Sequence, residues 1–386
     1  MDNVRTKKVY SLESLVFLIV FFGLFGYLSS VMGLPNMMNT LMNTAYALLI
    51  DTVFYIMAIS VIAGAIGSLL TEFGVIAILN SLLSPLMKPL FGLPGASAVG
   101  MLSTFLSDNP AILALADDVS FRRYFKKYQL PALTNLGTGF GMGLIIFTFM
   151  IGLTPYEGGT FVVAGLVGLL GATIGSLVSV RIMLFFTKKI FDVNEDAVEG
   201  KSGKSYSPHV RIISEGSVGA RAMNCLLHGG KQGVTLGLDI IPGVLIICTL
   251  VMMLTNGPTN GVYTGAAYEG VGLLPAIGEK LSFILTPLFG FSSTKCIAVP
   301  ITALGAAGAA IGLIPGLVQS GMASGNDIAV FTAMCMCFSG YLSTHVAMMS
   351  SLKFPELAGK SILSHTIGGL CAGISAHFIY MLVTLL

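Results

Sequence analysis

Charge is the scarcest resource in this chain. Asp, Glu, Lys and Arg together make up 10% of its 386 residues, against about 25% in soluble domains. A water-facing surface cannot be built from so little, so a soluble globular protein is excluded. Tryptophan is absent, so an aromatic belt at a membrane interface has only the 12 Tyr and 24 Phe to draw on. The six Cys (Cys225, Cys248, Cys296, Cys335, Cys337 and Cys371) have no spacing that suggests a zinc site or a disulfide framework. No phosphate loop occurs, which argues against an ATP-driven pump. No nucleophile and base stand at a recognisable spacing, so the chain is not expected to be an enzyme. The net charge of +2 implies no nucleic-acid partner.

What fills the chain is apolar: 54% of residues are hydrophobic and 47 are Gly. A bilayer span needs about 20 apolar residues. Such runs lie near 12–33, 42–70, 129–153, 160–187, 233–255, 327–352 and 361–386. The first is too long for a secretory signal and reads as a retained helix. Two further stretches, 94–118 and 292–319, are interrupted by polar or Gly-rich residues. Each follows a moderately apolar segment, 71–91 and 266–290, suited to lying along the interface.

Cations orient such a chain, since Lys and Arg collect on the cytoplasmic side. With a cytoplasmic N-terminus and each interrupted stretch a re-entrant hairpin, the inner side receives seventeen of the 20 Lys and Arg. Lys280 and Lys295 fall outside, and Arg181 lies within a span, where its stem can snorkel toward Lys188-Lys189. Treating each hairpin as a full span destroys this asymmetry. The expectation is a multi-pass protein of the cell (inner) membrane with an extracytoplasmic C-terminus.

The two halves echo each other. Pro89-Leu90-Phe91-Gly92-Leu93 returns as Pro287-Leu288-Phe289-Gly290-Phe291. Asp51 and Asp239 each sit near the start of the preceding span, where a carboxylate suits the helix dipole. The unit is span, interfacial helix, hairpin, span, span. Three crossings per unit make the second copy inverted. The organisation is thus an N-terminal tail and helix (1–40), a first repeat (41–187) with hairpin 94–118, a cytoplasmic connector (188–232), and a second repeat (233–386) with hairpin 292–319. Inverted repeats with broken helices are a transporter design, with the site near the midplane.

The strongest local signal is Ser107-Asp108-Asn109-Pro110, midway through the first hairpin. A carboxylate at that depth is costly and usually functional. Pro110 lacks an N–H and disfavours helix at Asn109, so the segment breaks there. It equally suits a cap on the second arm. The second tip, Gly305-Ala306-Ala307-Gly308, has no charge. The following span opens Leu133-Thr134-Asn135-Leu136-Gly137-Thr138-Gly139-Phe140-Gly141. Its Gly content predicts unwinding, with freed carbonyls and the hydroxyls of Thr134 and Thr138 suited to Na⁺. In the second half, Cys337-Phe338-Ser339-Gly340-Tyr341-Leu342-Ser343-Thr344-His345 again mixes hydroxyls with Gly. His345, His365 and His377 fit hydrogen-bonded packing better than proton coupling. Cys335, Cys337 and His345 make a weak case for a soft-metal site.

This order of elements, the Pro-Leu-Phe-Gly segments and the Ser107–Pro110 tip resemble the concentrative nucleoside transporters over about residues 40–386. They also resemble the wider group of Gate, or nucleoside-recognition-domain, membrane proteins, which includes the membrane part of the bacterial ferrous-iron transporter and spore-maturation proteins. The resemblance implies elevator motion of hairpins and following spans against a scaffold. It implies substrate contacts from Ser107, Asp108, Asn109, Asn135, Ser339, Ser343, Thr344 and His365, with Ser364 behind them. Ion contacts would come from Asp108, Thr134, Gly137 and Thr138.

The expectation is therefore an all-α secondary active transporter of a small polar solute, nucleoside-like or amino-acid-sized, coupled to Na⁺ or H⁺. It is expected to need no cofactor beyond Na⁺ as coupling ion and to form a homo-oligomer in the bilayer. The alternatives are a non-transporting Gate-type component of a larger assembly and a metal-ion permease.

Overall fold

A computed structural model describes residues 9–117, 119–198, 213–239, 241–258, 261–305, 307–339 and 341–385. Among the described residues the regular elements are all helices, with one isolated β-bridge between Lys126 and Asp196. Five helices are long and apolar enough to cross a membrane: Leu12–Met32, Leu34–Glu72, Lys127–Gly152, Val162–Thr187 and Pro355–Leu385. The protein is a multi-pass membrane protein.

The first helix, α1 (Leu12–Met32), is capped by Ser11, whose hydroxyl accepts from Ser14 N at 3.2 Å. Gly33, at φ 79°, turns the chain into α2 (Leu34–Ala47). A π-helical turn, Leu48–Val53, joins α2 to α3 (Phe54–Glu72) without a break. The helix thus begins at residue 34, not 42. Asp51 lies in mid-run on the π turn, not at a helix start. The 71–91 segment is α4 (Val75–Leu86) followed by the π turn Met87–Phe91.

The first hairpin consists of α5 (Ser97–Leu106) and α6 (Pro110–Asp117), with the break at Ser107–Asn109 where Pro110 demands it. After a short turn, α7 (Val119–Arg122), the next span is split into α8 (Ala132–Thr138) and α9 (Gly143–Gly152). The unwound residues are 139–142, with Met142 at φ 52°. The third span is α10 (Val162–Thr187).

The second half begins earlier than its hydropathy suggests. Helix α11 (Val218–Asp239) already occupies residues assigned above to the connector. Its Gly229 and Gly233 lie backbone to backbone against Gly64 and Ser60 of α3, so even a methyl group there has no room. That close approach, not local apolarity, extends the helix. The connector residues 199–212 lie outside the described residues. Helix α12 (Ile241–Gly243), a second π turn (Val244–Cys248) and α13 (Thr249–Thr255) complete this element.

The remaining order repeats the first half. The counterpart of α4 is α14 (Leu273–Lys280) and α15 (Ser282–Phe289), after which the chain bends by 81° into the second hairpin. The hairpin arms are α16 (Ala298–Gly305) and α17 (Ala307–Gln319). Its Ala306 lies outside the described residues. The broken span is α18 (Gly325–Cys337) and α19 (Tyr341–Ser351), and the last helix is α20 (Ala358–Leu385).

The echoed Pro-Leu-Phe-Gly segments are held in the same way. Gly92 and Gly290 both adopt positive φ, at 75° and 63°. Gln129, opening the first broken span, donates to Gly92 O at 3.0 Å. Asn326, opening the second, donates to Gly290 O at 2.8 Å. The third span of each half adds its own side chain. Arg181 of α10 donates to Leu90 O at 2.6 Å and to Pro89 O, while His377 of α20 meets Asn326 Oδ1 at 2.8 Å. Arg181 therefore caps carbonyls and does not reach toward Lys188-Lys189.

The core is a helix stack at its densest between α10 and α20. Small residues set that spacing: a Cβ on Gly175 would stand 2.5 Å from both Ala372 Cβ and Gly368 O. Asp327, buried at the start of α18, accepts from Ser324 N at 2.8 Å and Ser292 N at 3.1 Å, plus both Ser hydroxyls. It ties the start of the second hairpin to the second broken span.

Candidate functional site

The break in the first hairpin meets the break in the second broken span. Asn109 Nδ2 donates to Ser339 O at 2.8 Å and faces Thr344 Oγ1 at 3.5 Å. Ser339 Oγ donates to Asp108 Oδ1 at 3.3 Å. Residues 139–142, the unwound stretch of the first broken span, close the third side. A Cβ on Gly141 would stand 2.7 Å from Asn109 Oδ1 and 2.9 Å from Ser339 Oγ. Three interruptions of helix therefore converge on one spot, each leaving backbone groups that the helix no longer satisfies. Asn109 is 2% exposed, and its Oδ1 has no protein partner. A buried acceptor left open costs free energy unless a ligand or water completes it.

Ser107 lies beside this tip with its hydroxyl donating back to Ser103 O at 3.1 Å. It also lines a cavity of about 510 Å³ between α3, α11 and the first hairpin, together with Glu72, His228 and Gln232. The side chain of Ser343 lies outside the described residues. Ser364 donates to Lys360 O at 2.7 Å, within its own helix.

A second polar cluster stands next to the first, where α8 meets α10 and α20. Asn135 donates to Ser179 Oγ at 2.8 Å and Ser361 O at 3.0 Å, and accepts from Ser361 Oγ at 2.7 Å. All its hydrogen-bonding hydrogens are engaged within the protein. Ser179 Oγ, having accepted from Asn135, is 2.9 Å from His365 Nδ1, and His365 Nε2 faces Cys337 O. Those partners assign the Nε2–H tautomer to His365, since a carbonyl can only accept. His345 packs on His365 with ring centroids 4.7 Å apart, and its Nδ1 faces Tyr341 O. Thr138 Oγ1 lies 3.4 Å from a nitrogen of each ring.

The expected ion ligands divide. Thr134 Oγ1 is buried and has no protein partner, and the same holds for Ser176 Oγ beside Gly139. Gly137 O already accepts from Phe140 N at 3.0 Å, and Gly137 lets α6 seat Ile112 against α8. Thr138 Oγ1 donates to Thr134 O at 2.8 Å. Cys335, Cys337 and His345 do not form a metal centre: among the described residues no three His, Cys, Asp or Glu stand together as one. Sequence reasoning missed Gly141, Ser176, Ser179 and Ser361. Only Gly141 carried a local signal, in the Gly-rich run that predicted unwinding.

No protein-family model matches the chain. One curated relative, an uncharacterised protein of Alkalihalophilus pseudofirmus, is 22% identical over 301 residues, covering 76% of this chain. The chain spans 60% of that relative's length. Among solved structures, the concentrative nucleoside transporter CNTnw in an inward-facing substrate-bound state matches with TM-score 0.51 at 12% identity, covering 96% of this chain and 84% of that one. A double variant of CNTnw in an outward-facing state gives 0.50 at 14% identity, covering 96% and 85%. The fold is CNT-like.

Proposed function

We propose that the chain is a secondary transporter of a small polar solute, working by elevator-type alternating access and related to the Gate proteins. The observation that carries this reading is the convergence of the first hairpin tip with two unwound spans, where Asn109 Oδ1 is buried and open. Asp108 and Asn109, with Ser339 and Thr344 across from them, form the solute site. Unwound carbonyls and half-helix ends are the features that such sites use. Na⁺ is the coupling ion in this reading, supported by the buried, unpartnered oxygens of Thr134 and Ser176. The cation count supports a cytoplasmic N-terminus, an inner-membrane location and two inverted repeats (41–187 and 233–386). A homo-oligomer is part of the proposal.

The test is uptake by proteoliposomes holding the purified protein, with a panel of nucleosides and amino acids under an imposed Na⁺ gradient. Uptake that needs the gradient and is lost in Asp108→Asn supports the reading. A folded protein that moves no member of the panel under Na⁺ or H⁺ gradients overturns it.

A further inference from the structure

A large cavity lies away from the hairpin tip. It measures about 820 Å³ and lies between the π turn Leu48–Val53, the end of α9, α13 and the second hairpin. That volume is within the usual range for small-molecule sites. Three independent features of the chain meet in it.

The first is Asp51. It sits mid-way along an apolar run of 39 residues, Leu34–Glu72. A carboxylate there is costly unless it faces water or a ligand. Asp51 lies on the π turn, is exposed and lines the cavity, and single π turns inside α-helices recur at functional sites. The second is Lys295, on the short helical turn Thr294–Ile297 that opens the second hairpin. Among the described residues neither Asp51 nor Lys295 takes part in an ion pair. The cavity therefore presents one negative and one positive side chain that the protein itself leaves uncompensated. The third is Tyr268, one of three non-Gly residues with positive φ among the described residues, at 66°. Its backbone N–H is pinned by Thr44 Oγ1 at 2.8 Å, which holds the strained residue in place and its ring on the cavity wall. Strain of this kind concentrates where a side chain is positioned for function. Burial, and then the nearby Asp51 carboxylate, raise the Tyr268 hydroxyl above its usual pKa, so it stays a hydrogen-bond donor beside Asp51.

The rest of the wall is apolar, with Phe149, Leu153 and Met252 on one side and Leu313 and Leu317 on the other. A simple cation would leave Lys295 repelled, and a simple anion would do the same to Asp51. A zwitterion with an apolar body satisfies both. The geometry points to this cavity as a binding site for neutral α-amino acids with apolar side chains. Asp51, with Tyr268, takes the ammonium group. Lys295 takes the carboxylate, and the apolar wall takes the side chain. Asp51 belongs to the long helix and Lys295 to the hairpin, so an occupant bridges the two. The inference rests on the transporter reading only in treating this as a loading site for the solute. The binding itself does not require it.

The test uses the full chain in detergent. Binding of L-leucine and L-methionine is measured, together with isoamylamine, which lacks the carboxylate, and isocaproate, which lacks the ammonium group. Leucine should bind the wild type, and each analogue should bind more weakly by about tenfold or more, the usual worth of a charged hydrogen bond. In Asp51→Asn the gap between leucine and isocaproate should close, and in Lys295→Gln the gap between leucine and isoamylamine. The wild-type analogue series stands by itself if a variant does not fold. A folded wild type that binds neither amino acid, or binds isocaproate as tightly as leucine, overturns the inference. Uptake of some other solute without zwitterion binding would overturn it while the transporter reading stands. Zwitterion binding without uptake of any solute would do the reverse.

Discussion

The α10–α20 interface gives a prediction whose sign is set by geometry. In Gly175→Ala the new Cβ starts 2.5 Å from Ala372 Cβ and from Gly368 O, both on α20. Carbon atoms pack at about 3.5–4.0 Å, so the helices must separate by about 1 Å. Neither obstacle is a flexible side chain that can swing away. Overpacking of this kind costs about 1–3 kcal/mol, while replacing Gly by Ala within a helix returns about 1 kcal/mol. Separation also stretches the Asn135–Ser179 and Ser179–His365 bonds, which lie one turn along, at about 1 kcal/mol each. The net expectation is a loss of about 2–4 kcal/mol. Without Trp, intrinsic tryptophan fluorescence cannot report unfolding. Four buried free cysteines can, because a thiol-reactive dye labels Cys248, Cys296, Cys335 and Cys337 only when the core opens. In such a melt Gly175→Ala should unfold at a clearly lower temperature. Gly359→Ala, in α20 with nothing within 4 Å of the new Cβ, should match or exceed the wild type. A Gly175→Ala protein that melts at or above the wild-type temperature would refute the argument from close packing.

Three further expectations use the same melt. Asp327→Ala removes a buried carboxylate that accepts from Ser292 and Ser324, and should cost about 3 kcal/mol; an unchanged midpoint would mean that the second hairpin is anchored elsewhere. Asn135→Ala breaks three buried hydrogen bonds to Ser179 and Ser361, with an expected loss of about 2–4 kcal/mol. Gly141→Ala drives a methyl group toward Asn109 Oδ1 and Ser339. It should abolish stabilisation by whichever transported solute is found, whereas Gly23→Ala, with open space around it, should keep it.

Much of the scaffold was legible because it is written in local chemistry. Pro110 has no N–H, so a break before it needs no tertiary knowledge. The Pro-Leu-Phe-Gly echo was visible as letters, and the Gly-rich 137–141 run announced an unwound span. Other features depend on partners far along the chain. Helix α11 carries Asn224, His228, Lys231 and Gln232 and reads as a polar connector until Gly64 is seen against Gly229. Asp327 looks like a loop residue and is fully buried. Asp51 reads as a dipole partner at a helix start, because the run beginning at Leu34 is too polar around Asn36, Asn39 and Asn43 to count as a span. Asn43 donates to Gly265 O at 2.8 Å and Asn36 to Tyr263 O at 3.1 Å, so these amides serve a loop 222 and 227 residues away. Asn135 meets Ser179 and Ser361 across 44 and 226 residues, and no local pattern encodes that meeting.

The Asn109–Ser339 bond joins groups 230 residues apart. Ribosomes add about 5–20 residues per second, so the first hairpin is made roughly 10–50 seconds before its partner exists. During that interval the tip carries a carboxylate and an amide with no second half to receive them. Until residue 339 is made, Asn109 has no Ser339 carbonyl to bond. Closure of this contact is therefore a late event in synthesis, and a chain truncated before residue 339 lacks one side of the Asn109 pocket.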